Sequence, residues 1–271
     1  MRHDWGLVAI PYLWHMFEVE RGGGVSAQRA VRHRTAPGRA LENVEDAAAF
    51  LEEMGLVLQT PHAYLPSLFA AAQGRPHTPG AGGFGQWPEH AWSWAGELAE
   101  RGDVLMTKVV LGQRTLVHER LWKALDSAIR EREANSSDER AIVEVLRSKQ
   151  SVRTDELPAL AGFGSKPSRK RYEKAISELS WSGAVLCTPA LVDNHKHVAI
   201  AELWKRKFPK PLGKTEGIRP FIRACIEAAG PVPRREVFKW FRWPRSEVDA
   251  AIEALISEEE LRALDASWLS A

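Results

Sequence analysis

Apolar residues recur at helical spacing in three stretches whose registers can be laid over one another. In "KPSRKRYEKAISELSWSGAVL" (166–186), Tyr172, Ala175, Ile176 and Leu179 form one narrow stripe at 100° per residue, while Lys170, Lys174 and Ser177 lie opposite. Pro167 and Ser168 suit the start of this helix and Gly183 its end. "AVLCT" and "HVAIAELW" then predict two short strands around a turn at "DNHKH". Two shorter amphipathic stretches precede it, "DERAIVEVLRSK" and "RTDELPALAG". Three helices followed by a strand hairpin is the order of a winged helix, the third helix being the one that enters a DNA groove.

The pattern repeats. A shift of 76 residues puts Val248, Ala251, Ile252 and Leu255 on the stripe, and Ile218, Phe221 and Ile222 under Ile142, Val145 and Leu146. A shift of 128 the other way puts Val44, Ala47, Ala48 and Leu51 there, with Gly55 under Gly183 and "MGLVLQ" under "SGAVLC". These registers predict an α+β, mainly helical chain of three tandem winged-helix (helix-turn-helix) modules with short β-wings. The first spans 1–76. A connector with short strands and a helix spans 77–137, opening on the Gly/Pro-rich "GRPHTPGAGGFGQWPEH" and holding the strand-like "DVLMTKVVLG" and the helical "TLVHERLWKALDSAIRE". The second module spans 138–208 and the third 215–271. "RGGGVSAQRAVRHR", before the first stripe, reads either as a further DNA arm or as a surface loop over the first module.

Charge narrows the partner. The 271 residues carry a net charge of only +2, but between Lys166 and Arg245 there are 18 Lys and Arg against 7 Asp and Glu. Such local asymmetry points to a polyanion. Lys166, Arg169, Lys170 and Lys174, with Arg171 at the flank, occupy the outer side of the third helix of the second module. His195, Lys196 and His197 would form its wing, and Lys205, Arg206 and Lys207 continue as a basic strip. The third module adds Arg234, Arg235, Lys239, Arg242 and Arg245, interleaved with Trp240, Phe241 and Trp243. The first module's outer face instead carries Glu42 and Asp46, which phosphates would repel.

Other chemistry finds little footing. Cys187 and Cys225 sit in apolar runs and read as core thiols of a reduced cytoplasmic protein. No apolar run reaches the roughly 18 residues of a membrane span. "NHKH" lacks the cysteines or carboxylates to complete a metal site, "GAGGFG" opens no βαβ unit, and no nucleotide-loop or hydrolase motif occurs, so no metal and no cofactor are expected. Most of the 11 tryptophans read as packing, with Trp92 and Trp94 as candidates to stack on a flipped base.

Four segments resemble a bacterial family, the tandem winged-helix DNA glycosylases of the AlkZ/YcaQ kind, and more closely their AlkZ-related cousins. They are "FLEEMGLVLQTPHAYLPSLFAAAQGRP", "HAWSWAGELAERGDVLMTKVVLGQRTLV", "NHKHVAIAELWKRKFP" and "VFKWFRWPRSEVDAAIEAL". The resemblance implies a concave basic surface on duplex DNA and excision of alkylated or crosslinked bases without metal or cofactor. Active members carry Gln-apolar-Gln or Gln-apolar-Asp, whose side chains hold the water that attacks the sugar. Gln59 lies on the first position of that motif, the second falls on Pro61, and His62 is the nearest substitute base. Neither Gln-x-Gln nor Gln-x-Asp occurs in the chain. Three functions are carried forward: a repair-type protein, a non-catalytic DNA-binding regulator or architectural protein, and a protein-interaction scaffold. A monomer is the expected state.

Overall fold

The computed structural model describes residues 26–76, 88–192, 196–264 and 267–271. Its described elements are short helices and three small sheets, and one order recurs three times: helix, strand, two helices, two strands.

The first unit begins at α2 (Val44–Met54), after a helix α1 at 26–32. Asn43 caps α2 by accepting the Asp46 N–H at 2.8 Å, and Ala47, Phe50, Leu51 and Met54 are its buried face, with Val44 and Ala48 half-buried beside them. β1 (Leu56–Leu58), α3 (Leu68–Gln73), α4 (Glu89–Glu100), β2 (Val104–Thr107) and β3 (Thr115–His118) follow, in a sheet ordered β1-β3-β2. β1 pairs antiparallel with β3, Leu56 against Val117 and Leu58 against Thr115.

That pairing corrects the sequence reading. The sheet crosses the boundary placed at residue 76, and its other two strands come from the stretch read as a connector. α2 opens its unit instead of closing it, and "AWSWAGEL" is the third helix. An apolar stripe ended by glycine and a strand marks any helix–strand junction, so the 128-residue shift matched a local signature and not a position in the unit.

After α5 (Trp122–Ile129), the second unit runs α6 (Ser137–Ser148), β4 (Val152–Arg153), α7 (Leu157–Leu160), α8 (Lys166–Ser182), β5 (Val185–Val192) and β6 (Lys196–Leu203), in the sheet order β4-β6-β5. Ser136 caps α6, and the Glu139 carboxylate accepts from both the Asn135 N–H and the Ser136 hydroxyl at 2.8 Å. Tyr172, Ala175 and Leu179 of the predicted stripe are buried and Ile176 is half-buried. α8 ends at Gly183, whose φ of 88° is left-handed; a Cβ there would stand 2.7 Å from Ile129 Cγ2, so α5 and the end of α8 meet at contact distance.

The third unit follows α9 (Trp204–Lys207). It comprises α10 (Arg219–Ala229), β7 (Val232–Pro233), α11 (Arg234–Trp240), α12 (Arg245–Ser257), β8 (Arg262–Ala263) and β9 (Trp268–Ser270), in the order β7-β9-β8. Val248, Ala251, Ile252 and Leu255 of α12 are buried as predicted.

The three interiors are not equivalent. Leu56, Leu65, Val109 and Val117 of the first unit, Leu125 and Ile129 of α5, and Phe221, Ile222, Trp240 and Ile252 of the third belong to one continuous core. The other face of the first unit has its own core around Phe50, Phe69, Trp94 and Leu116. The second unit closes separately around Ile142, Leu146, Tyr172 and Leu179. Asp126 ties α5 to the strip beyond β6. Its buried carboxylate accepts from Arg130 Nε at 2.8 Å, from Trp204 Nε1 at 2.6 Å and from the Leu212 N–H at 2.9 Å.

α1 docks on the third unit and reaches the first as well, where the Arg29 guanidinium lies over the Tyr64 ring at 5.0 Å. Arg29 and His33 donate to the Ala229 and Ala228 carbonyls at 3.0 and 2.9 Å, and Arg32 to that of Glu227, satisfying the last turn of α10. Burial, and then the Arg29 and Arg32 charges, hold the His33 imidazole down at about 4, against an opposing bond from Ala228. The unfolded chain therefore binds more protons between pH 6.5 and about 4. Stability should be full above that window and fall by about 3 kcal/mol across it as pH drops. Thermal melts at stepped pH should show this slope, and His33→Gln should flatten it.

Candidate nucleic-acid interface

α8 is the third helix of its unit, and all five cations assigned to its outer side, Lys166, Arg169, Lys170, Arg171 and Lys174, are exposed. They divide by what they touch. Arg171 forms a two-pronged ion pair with Asp138 of α6 and lies over the Phe163 ring. Arg169 stands 3.8 Å from Glu173 and over Tyr172. Lys166, Lys170 and Lys174 make no ion pair among the described residues, so their charges face solvent. Further along the helix, Glu178, four residues from Lys174, is taken up by Arg242 at 2.7 and 2.8 Å, which removes it from competition for that lysine. The Arg242 guanidinium beside it, followed by the weaker Lys174 charge, keeps the Glu178 carboxyl below its ordinary value against the cost of burial.

The corresponding helices of the other units differ. α4 exposes Glu89, Glu97 and Glu100, and α12 exposes Glu253 with Asp249 half-buried. α8 alone among the three offers a cationic face. The first unit's acidic surface was anticipated, but on α2; the third helix of that unit is α4.

The other assigned cations are largely spent inside the molecule. Arg234 bridges Asp249 and Glu253 at 2.7 and 2.6 Å. Lys239 pairs with Glu236 at 2.7 Å, and Arg242, besides holding Glu178, covers the Trp181 ring. Arg245 lies over Phe238, and Arg235 is exposed. The third unit is thus a partner of α8 more than a second basic surface. Lys205 pairs with Glu131 and Lys207 with Glu202, whereas Arg206 has no ion pair among the described residues. β5 and β6 form an eight-residue hairpin, Val185 against Leu203 through Val192 against Lys196. His195 at its turn lies outside the described residues, as do the side chains of Lys196 and His197.

Of the stacking candidates, Trp94 is only 8% exposed and belongs to the first unit's core, so its faces are covered. Trp92 is half-buried, its ring 5.3 Å from Phe69.

Gln59 ends β1. Its N–H donates to the Arg114 carbonyl at 2.8 Å, its carbonyl accepts from Phe69, and the residue is 3% exposed. His62 lies in the following loop. Its Nδ1 accepts the Tyr64 and Leu65 N–H groups at 3.2 and 3.3 Å, which leaves the proton of the neutral ring on Nε2. Nε2 stands 3.7 Å from Glu236 Oε1 on α11. The one acceptor nitrogen of the neutral ring is thereby committed to the backbone of its own loop, while the Nε2–H side faces Glu236, so His62 has no free acceptor for a water proton. Beside it, Thr60 donates to Gln113 Oε1 at 3.0 Å.

A family model described as AlkZ related matches residues 41–191, more than half of the chain. The chain belongs to the AlkZ-related family. The match begins at the residues leading into α2 and ends within β5, so it takes in the whole first sheet and the α8 face. The fold of this AlkZ-related chain is also similar to that of the Streptomyces sahachiroi DNA glycosylase AlkZ, with a TM-score of 0.52 over 89% of this chain and 68% of that one, at 13% sequence identity. No curated protein matches it. Among the described residues no helix is long and apolar enough to cross a membrane, and no group of three or more His, Cys, Asp or Glu is placed to hold a metal ion.

Two features of this AlkZ-related chain escaped the sequence reading. The Glu178–Arg242 clamp joins residues 64 apart, and nothing local marks either as the other's partner. Nothing in the local sequence marks Asp126; only the arrival of Trp204 and Leu212 makes it the centre of a buried network.

Proposed function

We propose that this AlkZ-related chain is a duplex-DNA-binding protein of the DNA-repair, glycosylase-like type. In this reading its three units are winged helices, α8 enters the major groove, and the protein acts on or recognises alkylated or crosslinked bases. The observation that carries it is the row of unpaired lysines, Lys166, Lys170 and Lys174, on the exposed face of the one third helix that is cationic. Each lysine set against a phosphate releases a counterion, so binding falls steeply with salt.

For excision, Gln59 is the chain's candidate to hold the attacking water. The companion position is Pro61, which offers no donor, and the acceptor nitrogen of His62 is engaged by the Tyr64 and Leu65 N–H groups. That geometry favours a second reading, in which the protein binds damaged DNA without cutting it. Incubation with duplex carrying 7-methylguanine, followed by detection of abasic sites, separates the two. Abasic sites that disappear in Gln59→Ala support an enzyme. Binding with no abasic sites leaves the recognition reading, and no binding at low salt ends both.

A further inference from the structure

A groove of about 640 Å3 runs between α6 and the end of α5 on one side and the end of β6 and α9 on the other. Its floor is apolar, with Ile129, Val143 and Leu203. Three arginines on its rim, Arg140, Arg147 and Arg206, point no strong charge pair inward. Arg140 makes one long bond to the Asn135 carbonyl, Arg147 stands 3.7 Å from Glu144, and Arg206 has no ion pair among the described residues. The remaining cations of the lining are committed: Arg130 to Asp126, Arg132 to Glu247 and Lys205 to Glu131. Glu133 and Glu144 also line it.

The position of the groove follows from the chain. β5 starts and β6 ends beside it, so it lies at the Val185–Leu203 end of the strand pair, away from Val192 and Lys196. Ala184, just past α8, is part of the lining. From Lys174 to the end of α8 at Ser182 the helix advances about 12 Å at 1.5 Å per residue, the length of between three and four base steps of a duplex.

We infer that this groove takes the phosphate backbone of the same DNA outside the contacts of α8, resting on the function proposed above. Arginine favours this ligand, because its planar fork meets phosphate oxygens two at a time. The apolar floor suits the sugar face between successive phosphates.

The test compares two duplexes, of about 12 and about 30 base pairs, in a salt titration. Arg140→Glu with Arg206→Glu should leave the short duplex unaffected. It should weaken the long one by about tenfold and lower its salt slope by about two. The Arg140→Gln, Arg206→Gln pair should show a smaller loss in the same direction, which guards against misfolding of the reversed-charge protein. If both pairs bind the long duplex as wild type does while the α8 lysine variants fail, the groove inference falls and DNA binding by α8 stands. If wild type binds neither duplex at low salt, the underlying function falls with it. If the variants lose a polyglutamate peptide but keep both duplexes, the groove serves an acidic protein segment and the inference is overturned.

Discussion

Lys170→Glu combined with Lys174→Glu should weaken duplex binding roughly 100-fold at low salt, whatever the sequence, and flatten the salt dependence by about two in slope. The lysines are one helical turn apart on α8, exposed, and free of ion pairs among the described residues. Reversal therefore costs two phosphate contacts and adds two repulsions, with no internal pair to break. Lys→Arg at both positions should restore most of the affinity, since a phosphate contact needs the cation and not the ammonium itself. The measurement is fluorescence anisotropy across a salt series, with circular dichroism confirming the fold. A reversed-charge protein that binds like wild type would remove α8 as the contact helix.

Asp126→Ala should be the most damaging single substitution for stability, at about 4 kcal/mol. The carboxylate is 2% exposed and answers three donors from three segments: Arg130, Trp204 and the Leu212 N–H. Its removal leaves the Arg130 guanidinium buried without its counter-charge and the indole N–H without an acceptor. Burial pushes the Asp126 carboxyl up, but the bonds from Arg130, Trp204 and Leu212 outweigh it and hold its pKa below the usual carboxylate value. The network thus persists at neutral pH, and its contribution is lost only as pH falls below the usual carboxylate range. A chain of this size should lose roughly 10 °C in melting temperature. Asp126→Asn, which keeps one acceptor oxygen, should lose less. A drop under about 1 kcal/mol would mean that water replaces the carboxylate.

What could be read from the letters follows a physical line. Burial on α8 and α12 was legible because a helix at 100° per residue commits its inward face whatever lies elsewhere. The basic face of α8 was legible for the same reason. The place of α2 was not, since its role depends on β1 meeting β3 across α3 and α4. Charge was the other failure. Arg234 and Arg242 look available in the sequence, yet Asp249 and Glu178, 15 and 64 residues away, neutralise them. The family's amide motif is visibly broken at Pro61, but only the loop geometry reveals that His62 cannot stand in for it, because its Nδ1 serves the backbone two and three residues on.

The molecule cannot be trimmed from its C-terminus like beads from a string. Stopping translation after α9 would strip Phe221, Ile222, Trp240 and Ile252 from the interior they share with the first unit and α5, and so expose apolar surface there, a recipe for precipitation. Nor does the middle piece come away cleanly: it has an interior of its own, yet Leu186 of its β5 is buried in the shared core and its Glu178 is held by Arg242 of the third unit.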